Sequence, residues 1–349
     1  MKCLLLAPTR YPFIRSIGAG LHANGLEVVQ VDFRDLFGTT TNALNDKYSS
    51  LPRRVRRLWE DPYVRRTNQE YLRIFRELKP DLVFIYNDQL LRPETVNAFK
   101  EQARVAFYLG DHPLYTPTNP YNLSILSASS CTITPDSFWC EQLTRMGLKN
   151  TVVDHFGINP EVHHPVEPTA EQRADLGADL VYIGSASKTN WGYKRARFLD
   201  LFSGMDLRAW ITGPMDRWYR EFPALATKVR PHARFDAAFN NLVYNCAKLA
   251  PVELVPSLFH GIHVRVFDVL GAGIMPLCEY SRDLEAVFGD TGMPLIRDYR
   301  EAADLARHWI GADDERKGTV ERMRAVAIAR YAPELVIRRM LERIFPAWH

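Results

Sequence analysis

The feature that most constrains this chain is a repeated alternation of short apolar runs and longer amphipathic ones. The apolar runs are KCLLLAP (2–8), LEVVQVDF (26–33), PDLVFIYN (80–87), RVAFYLGD (104–111), SCTITPD (130–136), NTVVDHFG (150–157), DLVYIGS (179–185), DLRAWITG (206–213) and IMPLCEY (274–280). They are too continuous to be half-exposed strands, which alternate apolar and polar positions. They are too short for core helices. Strands of a parallel sheet, covered by helices on both faces, have this signature. Helical stretches fit between them, at residues 14–24 (stopped at Gly25), 68–78, 93–101, 138–146, 193–202 and 235–244. In the second of these, Tyr71, Leu72, Phe75 and Leu78 share one side. The state of AKLAPVEL (247–254) is open on sequence alone. The last 30 residues read as a helix broken at Pro333.

The rhythm lapses once, in HHPVEPTAEQRAD (163–175), a polar, proline-bearing stretch that reads as a linker. A chain of 349 residues, 46% hydrophobic, has material for two cores on either side of it. The expected class is α/β, with two doubly wound domains. Open sheets of this kind bind ligands beyond the carboxyl ends of their strands. Two such sheets facing across a cleft would bring two ligands together.

Charge excludes some roles. A net charge of +3 with 24% charged residues gives no case for a nucleic-acid binder. One local run, RRVRR (53–57), reads either as a solvated helix face or as a contact for an anionic acceptor, a membrane surface or nucleic acid. Cys3, Cys131, Cys140, Cys246 and Cys278 are scattered without a CxxC pair, which favours a reducing compartment over a disulfide scaffold. MKCLLLAPTRYPF reads as a first buried strand rather than a signal peptide, and no run of about 18 apolar residues predicts a membrane span.

Three clusters can carry chemistry. In HVRVFDVLGAGIMPL (263–277), Arg265 and Asp268 stand three apart on one helical face. They form either a local salt bridge or a ligand pair. Arg265 offers a planar, permanently charged fork for phosphate, and Asp268 can accept the two hydroxyls of a ribose. Gly271 and Gly273 would allow close backbone approach or a tight turn into the next strand. In YIGSASKTNWGYKRARF (182–198), Gly184 and Ser185 end a strand and can expose amides to an anion. Lys194 and Arg195, with Arg197 beyond them, either add cationic charge for a pyrophosphate or form a solvated face. In LGDHP (109–113), Asp111 and His112 follow a buried strand directly. They are placed either to contact acceptor hydroxyls and transfer a proton, or simply to cap a turn. Tyr108, Tyr115 and Tyr121 nearby suit a carbohydrate face.

No HExxH, Walker A loop or paired metal-ligand spacing occurs, and GAG at 271–273 follows a helix rather than a strand. The acids of DDE at 313–315 fall in a late helix-like segment.

With these residues in view, the sequence resembles the GT-B glycosyltransferases, and among them the CgeB-like branch near glycosyltransferase families 1 and 4. HVRVFDVLGAGIMPLCEYSRDLEAVFGDTGMPLIRDYREAADLA (263–306) carries the likeness. The family's Arg-x-Phe-Glu reads here as Arg265, Val266, Phe267 and Asp268, with Asp for the usual Glu. YIGS (182–185) matches the family's opening of the second domain, YNCAKLAP (244–251) resembles its segment ahead of the sugar-nucleotide site and LGDHP (109–113) its acceptor-side loop; the likeness is good over most of the second half and loose over the first. The resemblance implies a GT-B fold of two Rossmann-like domains. Residues 1–165 would form the acceptor side, 166–330 the donor domain, and a last helix within 331–349 would return to the first domain. It implies transfer of a sugar from a nucleoside-diphosphate-sugar to a hydroxyl acceptor (glycan, lipid-linked, protein or small molecule), with retention. The expected cofactor list is empty, with no metal, and the expected location is cytoplasmic or at the inner face of a membrane, with room for peripheral membrane contact. A sugar-nucleotide epimerase would share the fold, and a nucleotide-sugar binding module would keep the donor site without turnover. Nucleoside diphosphate release that requires an acceptor separates a transferase from both.

Overall fold

The computed structural model describes residues 1–349 apart from 50, 89, 115–120, 188, 233–235 and 349, and leaves the side chains of residues 49, 53 and 57 undescribed. The chain divides into two units, Met1–Asp154 with Glu334–His349, and His155–Pro333.

The first unit holds six parallel strands: β1 (Lys2–Leu6), β2 (Glu27–Val31), β3 (Leu82–Tyr86), β4 (Arg104–Tyr108), β5 (Cys131–Thr134) and β6 (Thr151–Val153), in the order β2-β1-β3-β4-β5-β6. The second repeats the plan with β7 (Ala178–Ser185), β8 (Leu207–Thr212), β9 (Val229–Pro231), β10 (Ala247–Val252), β11 (Met275–Glu279) and β12 (Leu295–Ile296), in the order β12-β11-β10-β7-β8-β9. Cys3, Leu4, Leu5 and Leu82–Ile85 are fully buried, as are Leu180, Val181 and Tyr182, because helices cover both faces of each sheet. The strand order reverses between β1 and β3 in one unit and between β7 and β10 in the other. Those two switch points are where loops part and leave room for ligands.

Two segments differ from their reading in the sequence, and one that was open takes a definite form. The helix expected at residues 68–78 begins much earlier and runs Arg53–Leu78 through Pro62, preceded by a helix Thr39–Ser49. Its first turns, RRVRRLWEDPY, space Val55, Leu58, Trp59 and Tyr63 as a helix would, but the arginine run and Pro62 read as a polar, interrupted stretch. The open segment 247–254 supplies β10. Its pairing with β7 runs through Ala247 and Leu249 and stops before Pro251, which has no amide to donate. The stretch 163–175 is fixed to the second unit rather than loose. The Val166 amide donates to Asn245 Oδ1 at 2.9 Å, the His164 amide to Asn241 Oδ1 at 3.1 Å, and residues Ala170–Leu176 form a helix with a capping box at Thr169. The last helix, Pro333–Ile344, buries Val336, Ile337, Met340 and Leu341. Arg339 within it grips Asp154 through two bonds of 2.7 and 2.8 Å. Among the described residues no helix is long and apolar enough to cross a membrane.

Candidate functional site

Among the described residues of the second unit, a cluster of buried charges lies at its switch point. Glu253 directly follows β10, is 2% exposed, and gathers three donors. Arg195 Nε donates to its Oε1 at 2.6 Å, the Tyr182 hydroxyl to the same oxygen at 3.0 Å, and Arg265 Nη1 to its Oε2 at 2.8 Å. The Arg265 guanidinium also lies over the Tyr182 ring, 4.6 Å from its centroid, a cation–π contact. Burial works to raise the Glu253 carboxyl, but the charges of Arg265 and Arg195 outweigh it and hold the group at about 2. His263 donates no charge: burial and Arg265 push it down to about 3, and its Nδ1 accepts the Arg265 amide at 3.1 Å.

Two guanidiniums therefore share one carboxylate. A net positive charge is left in a largely water-excluded setting. Among the described residues, Nε and Nη2 of Arg265 and Nη2 of Arg195 have no hydrogen-bond partner. These are donors in fork geometry, suited to an anion.

Around this centre the predicted residues fall as follows. Arg195 is buried rather than on a solvated face, and it is braced on the Ser185 carbonyl. Lys194 also turns inward, donating to Glu279 Oε2 at 2.8 Å and to the Leu254 carbonyl at 2.7 Å, while Tyr299 donates to the other Glu279 oxygen at 3.0 Å. Arg197 is the exposed member, 3.7 Å from Asp200. Gly184 and Ser185 pair with Ile211 and Thr212 of β8, so their backbone belongs to the sheet. Gly184 is small for another reason. A Cβ there would lie 2.7 Å from the ring of Tyr182, the ring on which Arg265 rests.

Asp268 does not pair with Arg265. It lies 3.2 Å from His163 Nδ1 and keeps a third of its side chain exposed. Gly271 and Gly273 serve the same neighbour. A Cβ on Gly271 would meet His163 Cβ at 2.7 Å, and Gly273 turns the chain with φ 81° beside Pro165. The glycine step thus seats the His163–Pro165 backbone, and that segment supplies Asp268 with its partner.

In the first unit a cavity of about 450 Å³ opens at the carboxyl ends of β1 to β4, over the other switch point. Asp111 lines it together with Asn87, Asp88, Tyr86, Arg10 and Arg34. Asn87 adopts a left-handed backbone (φ 49°) and donates to Asp111. Tyr71 donates to Asp88 at 2.7 Å. Burial pushes both carboxyls, Asp88 and Asp111, above the usual range, in each case against hydrogen bonds that lower them.

His112 does not line the cavity, contrary to the expectation from its place after β4. The chain turns it inward, where it is fully buried and edge-on to Trp139, with ring centroids 5.1 Å apart. Its Nδ1 accepts the Leu114 amide at 3.0 Å, and burial lowers its pKa, so it fastens the loop in its neutral form. Of the three tyrosines, Tyr108 is core, Tyr121 lies beneath Arg92, and Tyr115 lies outside the described residues.

Glu253, Glu279, Tyr182 and His163 were not singled out in the sequence. The two glutamates had a signal: each is an acid at the carboxyl end of an apolar run. Among the described residues no group of three or more His, Cys, Asp or Glu is placed to hold a metal.

A family profile described as "Glycosyl transferase-like" matches residues 194–342, under half of the chain. No curated protein matches. Solved structures match along the full length. Sucrose-phosphate synthase from Thermosynechococcus elongatus is 13% identical with a TM-score of 0.71, covering 99% of this chain and 100% of that one. An E. coli structure titled "Trehalose-6-phosphate … bound with UDP-2-fluoro glucose" is 11% identical with a TM-score of 0.64, covering 99% of each chain. The MnaA–UDP co-structure from S. aureus is 10% identical with a TM-score of 0.59, covering 98% of this chain and 96% of that one. These likenesses establish the fold: the chain has the GT-B fold of two Rossmann-like domains, as its sequence led one to expect.

Proposed function

We propose that the protein is a glycosyltransferase that moves a sugar from a nucleoside-diphosphate-sugar to a hydroxyl acceptor. The observation that carries this reading is the pair of buried arginines, Arg195 and Arg265, held over one carboxylate with donors to spare. In this reading the donor pyrophosphate accepts from those nitrogens, and their charge stabilises the leaving diphosphate as the glycosidic bond to it breaks. Asp268 accepts the ribose hydroxyls with the oxygen that His163 leaves open. Lys194, already committed to Glu279, contributes by shaping the wall. The E. coli and S. aureus structures carry uridine nucleotides by their titles, which makes UDP the first nucleotide to try. The reaction retains configuration if this chain follows the family 4 enzymes it resembles, with a donor phosphate oxygen taking the acceptor proton.

The cavity of the first unit is the acceptor seat in this reading, with Asp111 receiving a hydrogen bond from the acceptor hydroxyl. A charge-assisted hydrogen bond of this kind is worth about 1.5–3 kcal/mol. Asp111→Asn is therefore expected to lower transfer roughly ten- to a hundredfold while nucleoside diphosphate affinity stays at the wild-type value. Coupled detection of released nucleoside diphosphate, with and without a panel of acceptors, gives the first quantity and calorimetry the second. Equal loss of both would return Asp111 to a purely structural role. Turnover of the donor into its epimer without acceptor would replace the transferase reading with an epimerase.

A further inference from the structure

The chain exposes apolar side chains where it has no internal use for them. Among the described residues, Leu44, Leu51, Val55 and Leu58 are large hydrophobics on the surface within fifteen positions, and Leu58 is 80% exposed. They sit on and between the helices Thr39–Ser49 and Arg53–Leu78 of the first unit. Tyr48 and Trp59 stack at 5.2 Å between those helices, which ties this end of the hairpin together. The same fifteen residues carry five basic side chains, Lys47, Arg53, Arg54, Arg56 and Arg57, against one acid, Asp46. That acid is engaged with Arg34 at 3.1 Å. The helix leads on through Glu60, which pairs with Arg56 at 3.1 Å.

We propose that this hairpin end docks the protein on an anionic lipid bilayer. The argument is the combination. Basic charge alone would suit any polyanion, but nucleic-acid phosphates gain nothing from an exposed leucine and valine one helical turn apart. An interfacial surface gains from both, because apolar side chains enter the acyl boundary while arginines stay among the headgroups. The proposal does not rest on the transferase reading, since none of the residues substituted in its test belongs to the arginine cluster or lines the cavity.

The test is sedimentation of the full chain with phosphatidylcholine vesicles, with and without phosphatidylglycerol. Wild type should bind only the vesicles that contain phosphatidylglycerol and be released by high salt. Val55→Glu combined with Leu58→Glu should weaken binding by about tenfold or more, and so should Lys47→Glu combined with Arg54→Glu. Both variants should melt like wild type, because Val55, Leu58, Lys47 and Arg54 are all exposed. Wild type left in the supernatant with phosphatidylglycerol vesicles would overturn the proposal. Variants that bind as wild type does would also overturn it, as would wild type retained by single-stranded RNA and not by vesicles.

Discussion

Arg265→Ala is expected to lower transfer by about a hundred- to a thousandfold, the range found when one donor to developing negative charge is removed. The fold should survive, since Glu253 keeps Arg195 and Tyr182 as partners. Arg265→Lys is a sharper comparison. Lysine restores the charge but not the planar fork, nor its stacking on the Tyr182 ring, so it should recover only part of the activity. Turnover and nucleoside diphosphate affinity, measured on variants with a wild-type circular dichroism spectrum, check both. A folded Arg265→Ala protein with wild-type affinity would remove the arginine from the donor site.

Glu253→Ala should be the most destabilising single change at the site, by about 3–5 kcal/mol, because it leaves Arg195 and Arg265 as buried like charges with no carboxylate between them. Thermal or urea denaturation reads this directly. The acid side of the stability profile gives a second reading. The Glu253 carboxyl is held at about 2 in the folded protein against an ordinary 4.5. A depressed pKa of this kind contributes stability above the ordinary value, and the contribution disappears as pH falls from about 4.5 towards 2. Glu253→Gln has no charge to lose, so its stability should fall less steeply across that window than that of wild type. Parallel profiles would mean that the carboxylate holds neither arginine.

The fold was readable from KCLLLAP, PDLVFIYN and DLVYIGS, because a strand buried on both faces writes a short continuous apolar run and these runs recur between helical stretches. β10 was harder because Pro251 argues against a central strand. It is tolerated where the ladder to β7 has already ended. Arg265 and Arg195 could be picked out by residue type and position, but their common partner could not. Glu253 is 58 positions from Arg195 and 12 from Arg265, and only the strand order brings all three to one switch point. The helical spacing of Arg265 and Asp268 suggested a pair, yet a buried carboxylate from another element takes the arginine, and His163 takes the aspartate. His112 shows the opposite failure. Its place after a strand is correct, but position along the chain does not say which way a side chain turns, and Trp139 offers it a core.

The central claim is that Arg195, Arg265 and Asp268 together hold a nucleoside diphosphate. Calorimetric titration of the wild-type chain with UDP, GDP, TDP, CMP, UMP and 2′-deoxy-UDP tests it most directly. The account predicts saturable binding of at least one ribonucleoside diphosphate. If that is UDP, UMP should bind much more weakly, because it brings one phosphate to two arginines. 2′-Deoxy-UDP should lose roughly tenfold, the cost of one hydrogen bond to a charged group. Failure of every diphosphate to bind the folded protein would contradict the account. UDP and UMP binding equally well would contradict it too.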